Sequence, residues 1–102
     1  MAESPVRQKL SAIFAADAAG FSRLMAVDEN ATLYALDAAR AVFKAQIDSN
    51  HGQVVDMAGD SVLAVFETAT GAVGAALAIQ QQLAVVEATF VQDVRVKFRI
   101  GL

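Results

Sequence analysis

The chain has 102 residues, a formal net charge of −3 and no cysteine. This length suits one domain with a real core, and the missing cysteines exclude disulfides, zinc–thiolate sites and thiol catalysis. Basic residues are scattered and the N-terminus lacks the long apolar run of a signal peptide, so we expect a cytoplasmic protein that does not bind nucleic acid.

The predicted elements begin after a polar leader, residues 1–8, and form one domain over residues 9–102. Leu10–Ala16 is a continuous apolar run bounded by Asp17, and it predicts a central strand covered on both faces. A short helix is predicted over Phe21–Ala26.

A longer helix follows, with N-cap and first-turn residues Asp28, Glu29 and Asn30. The turn Asn50-His51-Gly52 ends it with a C-cap signal. Its apolar positions follow helical spacing and predict the buried face: Leu33, Leu36, Ala39, Phe43 and Ile47.

Two short strands, Gln53–Met57 and Val62–Phe66, are predicted next, joined by the hairpin turn Ala58-Gly59-Asp60-Ser61. The uncharged stretch Thr68–Val86 contains three consecutive glutamines. Because burying their amides in hydrocarbon is costly, we expect a soluble helix and no membrane segment.

That second long helix opens at Thr68 or Thr70, and its predicted apolar stripe comprises Val73, Ala76, Leu77, Leu83 and Ala84. The final segment, Val94–Ile100, alternates apolar and polar residues. It predicts a fourth strand with Arg95, Lys97 and Arg99 on its polar face.

The resulting order is strand, helix, strand, strand, helix, strand. This order predicts an α+β, ferredoxin-like βαββαβ fold, in which an antiparallel sheet carries both helices on one face. Such a fold hosts many unrelated functions, so particular residues must indicate the function.

Two aspartates are the candidate metal ligands. In a ferredoxin-like sheet the first and third strands are antiparallel neighbours, so Asp17, at the end of the first, is expected beside Asp60, at the start of the third. Two carboxylates alone would repel each other, and Mg²⁺ would remove the conflict because it accepts few protein oxygens together with waters and phosphates. Taken singly, each aspartate has a plainer explanation, as a helix cap or as a turn residue.

The segment Gly20-Phe21-Ser22 is the candidate phosphate site. A glycine at a strand-to-helix turn lets main-chain N–H groups point outward at a helix N-terminus. The Ser22 hydroxyl is a further hydrogen-bond donor.

Three blocks, AIFAADAAGFSRL (residues 12–24), HGQVVDMAGDSVLAVF (51–66) and FRIGL (98–102), resemble successive parts of class III adenylate and guanylate cyclase domains. The resemblance is strongest to the bacterial adenylate cyclase branch and covers the chain from about residue 8. It implies that the ribose 3′-hydroxyl of ATP attacks the α-phosphorus, giving 3′,5′-cyclic AMP and pyrophosphate in cyclic-nucleotide signalling.

The resemblance also implies residue roles. Asp17 and Asp60 would be catalytic and hold two Mg²⁺ or Mn²⁺ ions, with the Ala18 carbonyl as a further ligand. Gly20, Phe21 and Ser22 would lie against the β- and γ-phosphates. Such domains act as dimers, so a homodimer or association with another cyclase domain is expected.

Two departures from the family pattern affect these expectations. Asp56 stands where many adenylate cyclases have lysine and guanylate cyclases have glutamate, so it is the base-reading candidate; its plainer explanation is an ordinary polar residue on a strand face. An ionised aspartate cannot donate to adenine, although the surrounding sequence favours ATP over GTP. The family's later transition-state and base-reading blocks are not found before Leu102, so this chain alone is expected to be nearly inactive.

Two alternatives remain open. The first is a non-catalytic ferredoxin-like module that dimerises or docks onto a cyclase. The second is an unrelated ferredoxin-like sensor domain that binds a small ligand without phosphoryl chemistry.

Overall fold

The structure is a computed structural model that describes residues 11–88 and 96–102. The predicted leader, Leu10 and the first part of the predicted fourth strand, including Arg95, lie outside these ranges. The elements in chain order are β1 (Ala12–Ala18), α1 (Phe21–Val27), α2 (Glu29–Ser49), β2 (Gly52–Ala58), β3 (Ser61–Phe66), α3 (Ala69–Glu87) and β4 (Phe98–Gly101).

The four strands form one antiparallel sheet in the order β2-β3-β1-β4. The central pair is β1 and β3, as the ferredoxin-like pattern predicts, and α2 and α3 cover one face. Three contacts between phenylalanine rings hold the core together: Phe14 with Phe43 at 6.1 Å, Phe14 with Phe66 at 5.8 Å and Phe43 with Phe98 at 4.9 Å. The predicted α+β fold is therefore confirmed.

The sheet has an open face, which corrects the prediction that the first strand is covered on both faces. Along β1, Phe14, Ala16 and Ala18 are buried beneath the helices, whereas Ile13 is 59% exposed and Asp17 also faces outward. Because the described helices lie on one face only, the continuous apolar run of β1 does not indicate double burial. We call the side of the sheet that carries Ile13 and Asp17 the open face.

Helix α2 begins as the sequence predicts. The Asp28 carboxylate accepts a hydrogen bond from the Ala31 N–H at 3.0 Å. Buried Thr32 donates to the main-chain carbonyl oxygens of Leu24 and Asp28, at 3.0 and 2.7 Å, and so ties α1 to α2. Four of the five predicted core positions are buried, but Leu33 is 40% exposed.

Helix α3 begins at the predicted cap Thr68, whose hydroxyl accepts from the Gly71 N–H at 2.9 Å. The predicted stripe is largely wrong, because Val73 and Leu77 are 44% and 62% exposed. Leu83 is buried as predicted, and the other buried positions are Ala72, Ala75, Ile79 and Glu87.

Small residues explain why α3 buries a different side from the predicted one. A Cβ added at Gly74 would lie 2.9 Å from the Asn50 Oδ1, so the helix approaches the end of α2 more closely than larger side chains allow. By length and composition alone α3 could cross a membrane, but in this fold one of its faces lies in the core. Its opposite side exposes Val73, Leu77 and Val85.

Candidate metal and nucleotide site

Asp17 lies on the open face at the end of β1. The strand continues through Asp17 to Ala18, so this aspartate is within the strand rather than after it. Its main-chain neighbours are Ser61 in β3 and Arg99 in β4. The two strands adjacent to β1 therefore each place a residue beside Asp17.

Asp60 lies in the two-residue turn between β2 and β3, after Gly59, whose φ is 56°. The main-chain N–H of Ala18 donates to the Asp60 carbonyl oxygen at 3.2 Å. This bond, together with the pairing of Asp17 and Ser61, brings the main chains at Asp17 and Asp60 together. The topological argument from the sequence predicts this juxtaposition correctly.

Further hydrogen bonds hold the turn that carries Asp60. The Ser61 hydroxyl donates to the Ala58 carbonyl oxygen at 2.9 Å. From α2, the Arg40 Nη2 donates to the Gly59 carbonyl oxygen at 2.6 Å. The turn is thus fixed to a helix on one side and to β1 on the other.

Arg99 occupies both oxygens of the Asp17 carboxylate. Its Nε donates to Oδ1 at 3.0 Å and its Nη2 donates to Oδ2 at 3.1 Å. The side chains remain 69% and 51% exposed, respectively. The alternation of its segment predicts only a polar strand face for Arg99, although the antiparallel pairing of β4 with β1 could also have indicated this contact.

The predicted phosphate site lies at the same end of the sheet. Gly20 adopts the left-handed conformation, with φ 65°, and is the N-cap of α1. Ser22 is exposed and Phe21 is partly buried. The Arg23 guanidinium lies beside Gly20, since a Cβ added at Gly20 would be 3.1 Å from its Nη2.

Arg23 therefore adds a positive charge beside the Gly20-Phe21-Ser22 segment, for which the sequence predicts only N–H and hydroxyl donors. The Ala19 N–H donates to the Lys97 carbonyl oxygen at 2.7 Å, which anchors the preceding residues to the chain leading into β4.

Asp56 lies on the open face but apart from the other candidates. A β-bulge at Val55 shifts the register, so Asp56 pairs with Leu63, which also faces outward. Adjacent strands are about 4.8 Å apart, and β3 separates β2 from β1, which puts Asp56 about 10 Å or more from Asp17. The structure therefore does not bring this base-reading candidate into contact with Asp17.

The donor set fits a hard divalent cation. Over residues 11–88 and 96–102, no group of three or more histidine or acidic side chains could hold a metal ion. Two carboxylates, with the Ala18 carbonyl as the predicted third donor, leave most of the coordination to waters and substrate oxygens, which Mg²⁺ accepts. A cation at Asp17 would either share the carboxylate with Arg99 or replace one of its hydrogen bonds.

Sequence comparison links the chain to cyclases. No protein-family model matches it. It is 38% identical to "Putative adenylate cyclase 3" of Rhizobium meliloti (strain 1021), in an alignment that covers 100% of this chain and 18% of that protein.

Structural comparison gives the same result. An adenylate/guanylate cyclase/hydrolase from Silicibacter pomeroyi superimposes with a TM-score of 0.73 at 38% identity, over 89% of this chain and 53% of the other. A bacterial light-regulated adenylyl cyclase gives 0.76 at 22% identity, over 89% and 50%, and supports the fold alone. These matches confirm the predicted resemblance to adenylate and guanylate cyclases, and the chain spans less than a fifth of the curated relative.

Proposed function

Because its sequence and fold match those of adenylate and guanylate cyclases, we propose that this chain contributes the metal-binding part of a nucleotidyl cyclase site. The observation that carries the proposal is the meeting of Asp17 and Asp60 at one end of the sheet, where the Ala18 N–H donates to the Asp60 carbonyl oxygen. The reaction would convert ATP to 3′,5′-cyclic AMP and pyrophosphate, for cyclic-nucleotide signalling in the cytoplasm.

Each group of residues has a part in this proposal. Asp17, Asp60 and the Ala18 carbonyl would bind two Mg²⁺ or Mn²⁺ ions, which neutralise phosphate charge when bound. The main chain at Gly20 and Phe21 and the Ser22 hydroxyl would orient the β- and γ-phosphates. The ribose 3′-oxygen then bonds to the α-phosphorus, the bond from that phosphorus to the bridging oxygen breaks, and the hydroxyl proton passes to solvent.

The preference for ATP over GTP rests on the curated relative, whose name refers to adenylate. Asp56 is the candidate for base recognition, and its exposed position on the open face leaves its carboxylate accessible. Since Asp56 is about two strand spacings from β1, a base in contact with it would extend across the open face. A homodimer, or association with another cyclase domain, would cover that face.

A non-catalytic interaction module is the second candidate function. Two observations favour it: Arg99 already neutralises Asp17, and the open face exposes Ile13, Val55 and Leu63. In that case the cyclase fold would serve association alone, and divalent cations would not bind at Asp17.

Calorimetric titration of Mn²⁺, with and without a non-cyclisable ATP analogue, separates the two functions. We expect Asp17→Asn and Asp60→Asn each to weaken Mn²⁺ binding about tenfold or more, because loss of groups that orient or form a metal site has effects of this size. Asp48→Asn is the matched control, since Asp48 is exposed at the far end of α2. Equal affinity in wild type and both site variants would contradict the metal assignment and favour the interaction module.

A further inference from the structure

Arg40 reaches from α2 to the turn that carries Asp60. Its Nη2 donates to the Gly59 carbonyl oxygen at 2.6 Å, a short hydrogen bond. The guanidinium carries a full charge and the acceptor is a main-chain carbonyl, so the bond is charge-assisted. It is a direct contact between a helix and the candidate metal site.

This bond fixes the main chain on one side of Asp60. The Gly59 carbonyl belongs to the planar peptide group that ends at the Asp60 nitrogen, so holding that oxygen also orients the Asp60 N–H. The next peptide group is held as well, because the Asp60 carbonyl oxygen accepts from the Ala18 N–H at 3.2 Å. With both flanking peptide groups held, only side-chain rotation remains to place the Asp60 carboxylate.

Arg40 also forms a weaker contact, an ion pair within α2. Its Nη1 lies 3.9 Å from the Oδ1 of Asp37, which is too long for a hydrogen bond, and because Asp37 is 81% exposed this pair contributes little. The Arg40 Nε is buried without a hydrogen-bond partner in the described part of the chain. An arginine on the surface of a helix could avoid that cost by extending into solvent, so the contact with Gly59 is what holds it here.

The two ends of the turn are held by the Ser61–Ala58 and Ala18–Asp60 hydrogen bonds, but Gly59 itself has few neighbours. A Cβ added at this glycine would meet no atom within 4 Å, and the residue is exposed. Its positive φ is a conformation that few other residues adopt readily. Arg40 therefore restrains the turn at Gly59 itself, between those two bonds.

We propose that Arg40 is a positioning residue for the metal ligand Asp60, acting through the Gly59 carbonyl. The inference rests on the proposed function, because it assumes that Asp60 binds a divalent cation. It assigns to α2 a role in the site that neither the cyclase resemblance nor the comparisons provide.

The test is Mn²⁺ affinity, measured by calorimetry on wild type and Arg40→Met. Removal of a positive charge near a cation site should by itself strengthen cation binding. Loss of a positioning contact should weaken it, and we expect a decrease of about threefold to tenfold, at the low end of what outer-shell partners of metal ligands contribute. The sign of the change therefore distinguishes positioning from simple electrostatics.

Two further variants complete the experiment. Lys44→Met removes one charge from the next turn of α2, where Lys44 is exposed, and should leave Mn²⁺ affinity within about twofold of wild type. Arg40→Lys keeps the charge but loses the planar guanidinium, and its affinity should lie between those of Arg40→Met and wild type. Thermal melting identifies which variants are folded.

Amide hydrogen exchange of the metal-free protein gives a readout that a general loss of stability does not reproduce. In Arg40→Met the amides of the Gly59–Ser61 turn should exchange faster, whereas those in the centre of β3 should not change relative to wild type. If a folded Arg40 variant binds Mn²⁺ as tightly as wild type while Asp60→Asn binds weakly, this inference is overturned and the proposed function stands. If Asp60→Asn also binds as tightly as wild type, both are overturned.

Discussion

Asp17 and Arg99 face each other across the β1–β4 pair, joined by two parallel hydrogen bonds of 3.0 and 3.1 Å. This two-point geometry is the favourable one for an arginine and a carboxylate. Both side chains are more than half exposed, however, and exposed ion pairs typically contribute only about 0–1 kcal/mol. The ion pair can therefore hold the Asp17 carboxylate in place when no metal is bound. It is also weak enough for a divalent cation to displace Arg99.

Arg99→Gln should for this reason strengthen the binding of Mn²⁺ by about two- to fivefold, the factor that corresponds to a pair of up to about 1 kcal/mol. The substitution removes both the competing hydrogen bonds and a positive charge beside the site. Calorimetric titration measures the change, and Lys44→Gln removes the same charge at a distance. Unchanged or weaker binding by Arg99→Gln would show that Arg99 does not compete with the cation.

For individual residues, the sequence predicts that the two aspartates lie close together, but it predicts few of the side chains that surround them. Asp17 and Asp60 are recognisable because the strand order alone brings their main chains together. The contacts of Arg40 and Arg99 depend on the exact residue pairing between strands and on the direction of long side chains. Helical spacing predicts only that Arg40 lies off the core face of α2, and nothing in that spacing relates it to a turn between two strands.

Strand β2 shows how one extra residue changes a predicted face. The sequence predicts a plain strand over Gln53–Met57, in which Asp56 would lie on the same side as Val54, toward the helices. The bulge at Val55 moves Asp56 to the open face and leaves Val55 itself 56% exposed. Bulges depend on the partner strand as well as on the local sequence, so the segment QVVDM alone gives no sign of one.

For helix α3, the buried side is difficult to predict from the sequence. Its sequence is apolar on most sides, so several stripes have similar hydrophobicity and the larger residues Val73 and Leu77 appear to mark the core. Packing instead favours the narrow side with Ala72 and Ala75, which are 1% and 0% exposed. Small side chains decide the rotation because they allow the helix to approach its neighbours closely.

The start of β2 gives a prediction about stability. A Cβ added at Gly52 would lie 2.4 Å from the Cε2 of Phe66, a ring that is only 2% exposed. Gly52→Ala should therefore lower the free energy of unfolding by about 1–3 kcal/mol, as expected for overpacking of a filled core. Urea unfolding followed by circular dichroism measures the change.

Gly101→Ala is the matched control for this variant. Its added methyl group would lie 3.9 Å from the Ala15 carbonyl oxygen, an ordinary contact distance. The change in unfolding free energy should stay within about 0.5 kcal/mol. If the two alanine variants are equally stable, the close packing of Gly52 against Phe66 does not constrain the sequence.

For the whole molecule, the asymmetry between the two faces of the sheet is the main feature. The helices shield one face, and the described residues leave Ile13, Val55 and Leu63 exposed on the other, at 59%, 56% and 39%. Asp17 lies on this same open face, and Asp60 lies in the turn at its end. An apolar area beside a polar site is typical of a surface that another protein covers, which agrees with the proposed homodimer or cyclase association.

Self-association should therefore depend on the open face rather than on the outer side of α3. Placing two lysines on the open face, as Ile13→Lys with Leu63→Lys, should weaken a homodimer at least about tenfold, since each apolar side chain contributes roughly 1 kcal/mol or more when it is buried. Sedimentation equilibrium over a range of concentrations measures the change. Leu77→Lys is the control, because Leu77 is 62% exposed but lies on α3, away from the open face. If the control weakens association and the double variant does not, α3 forms the contact and the open face, with Asp17, stays accessible in the dimer.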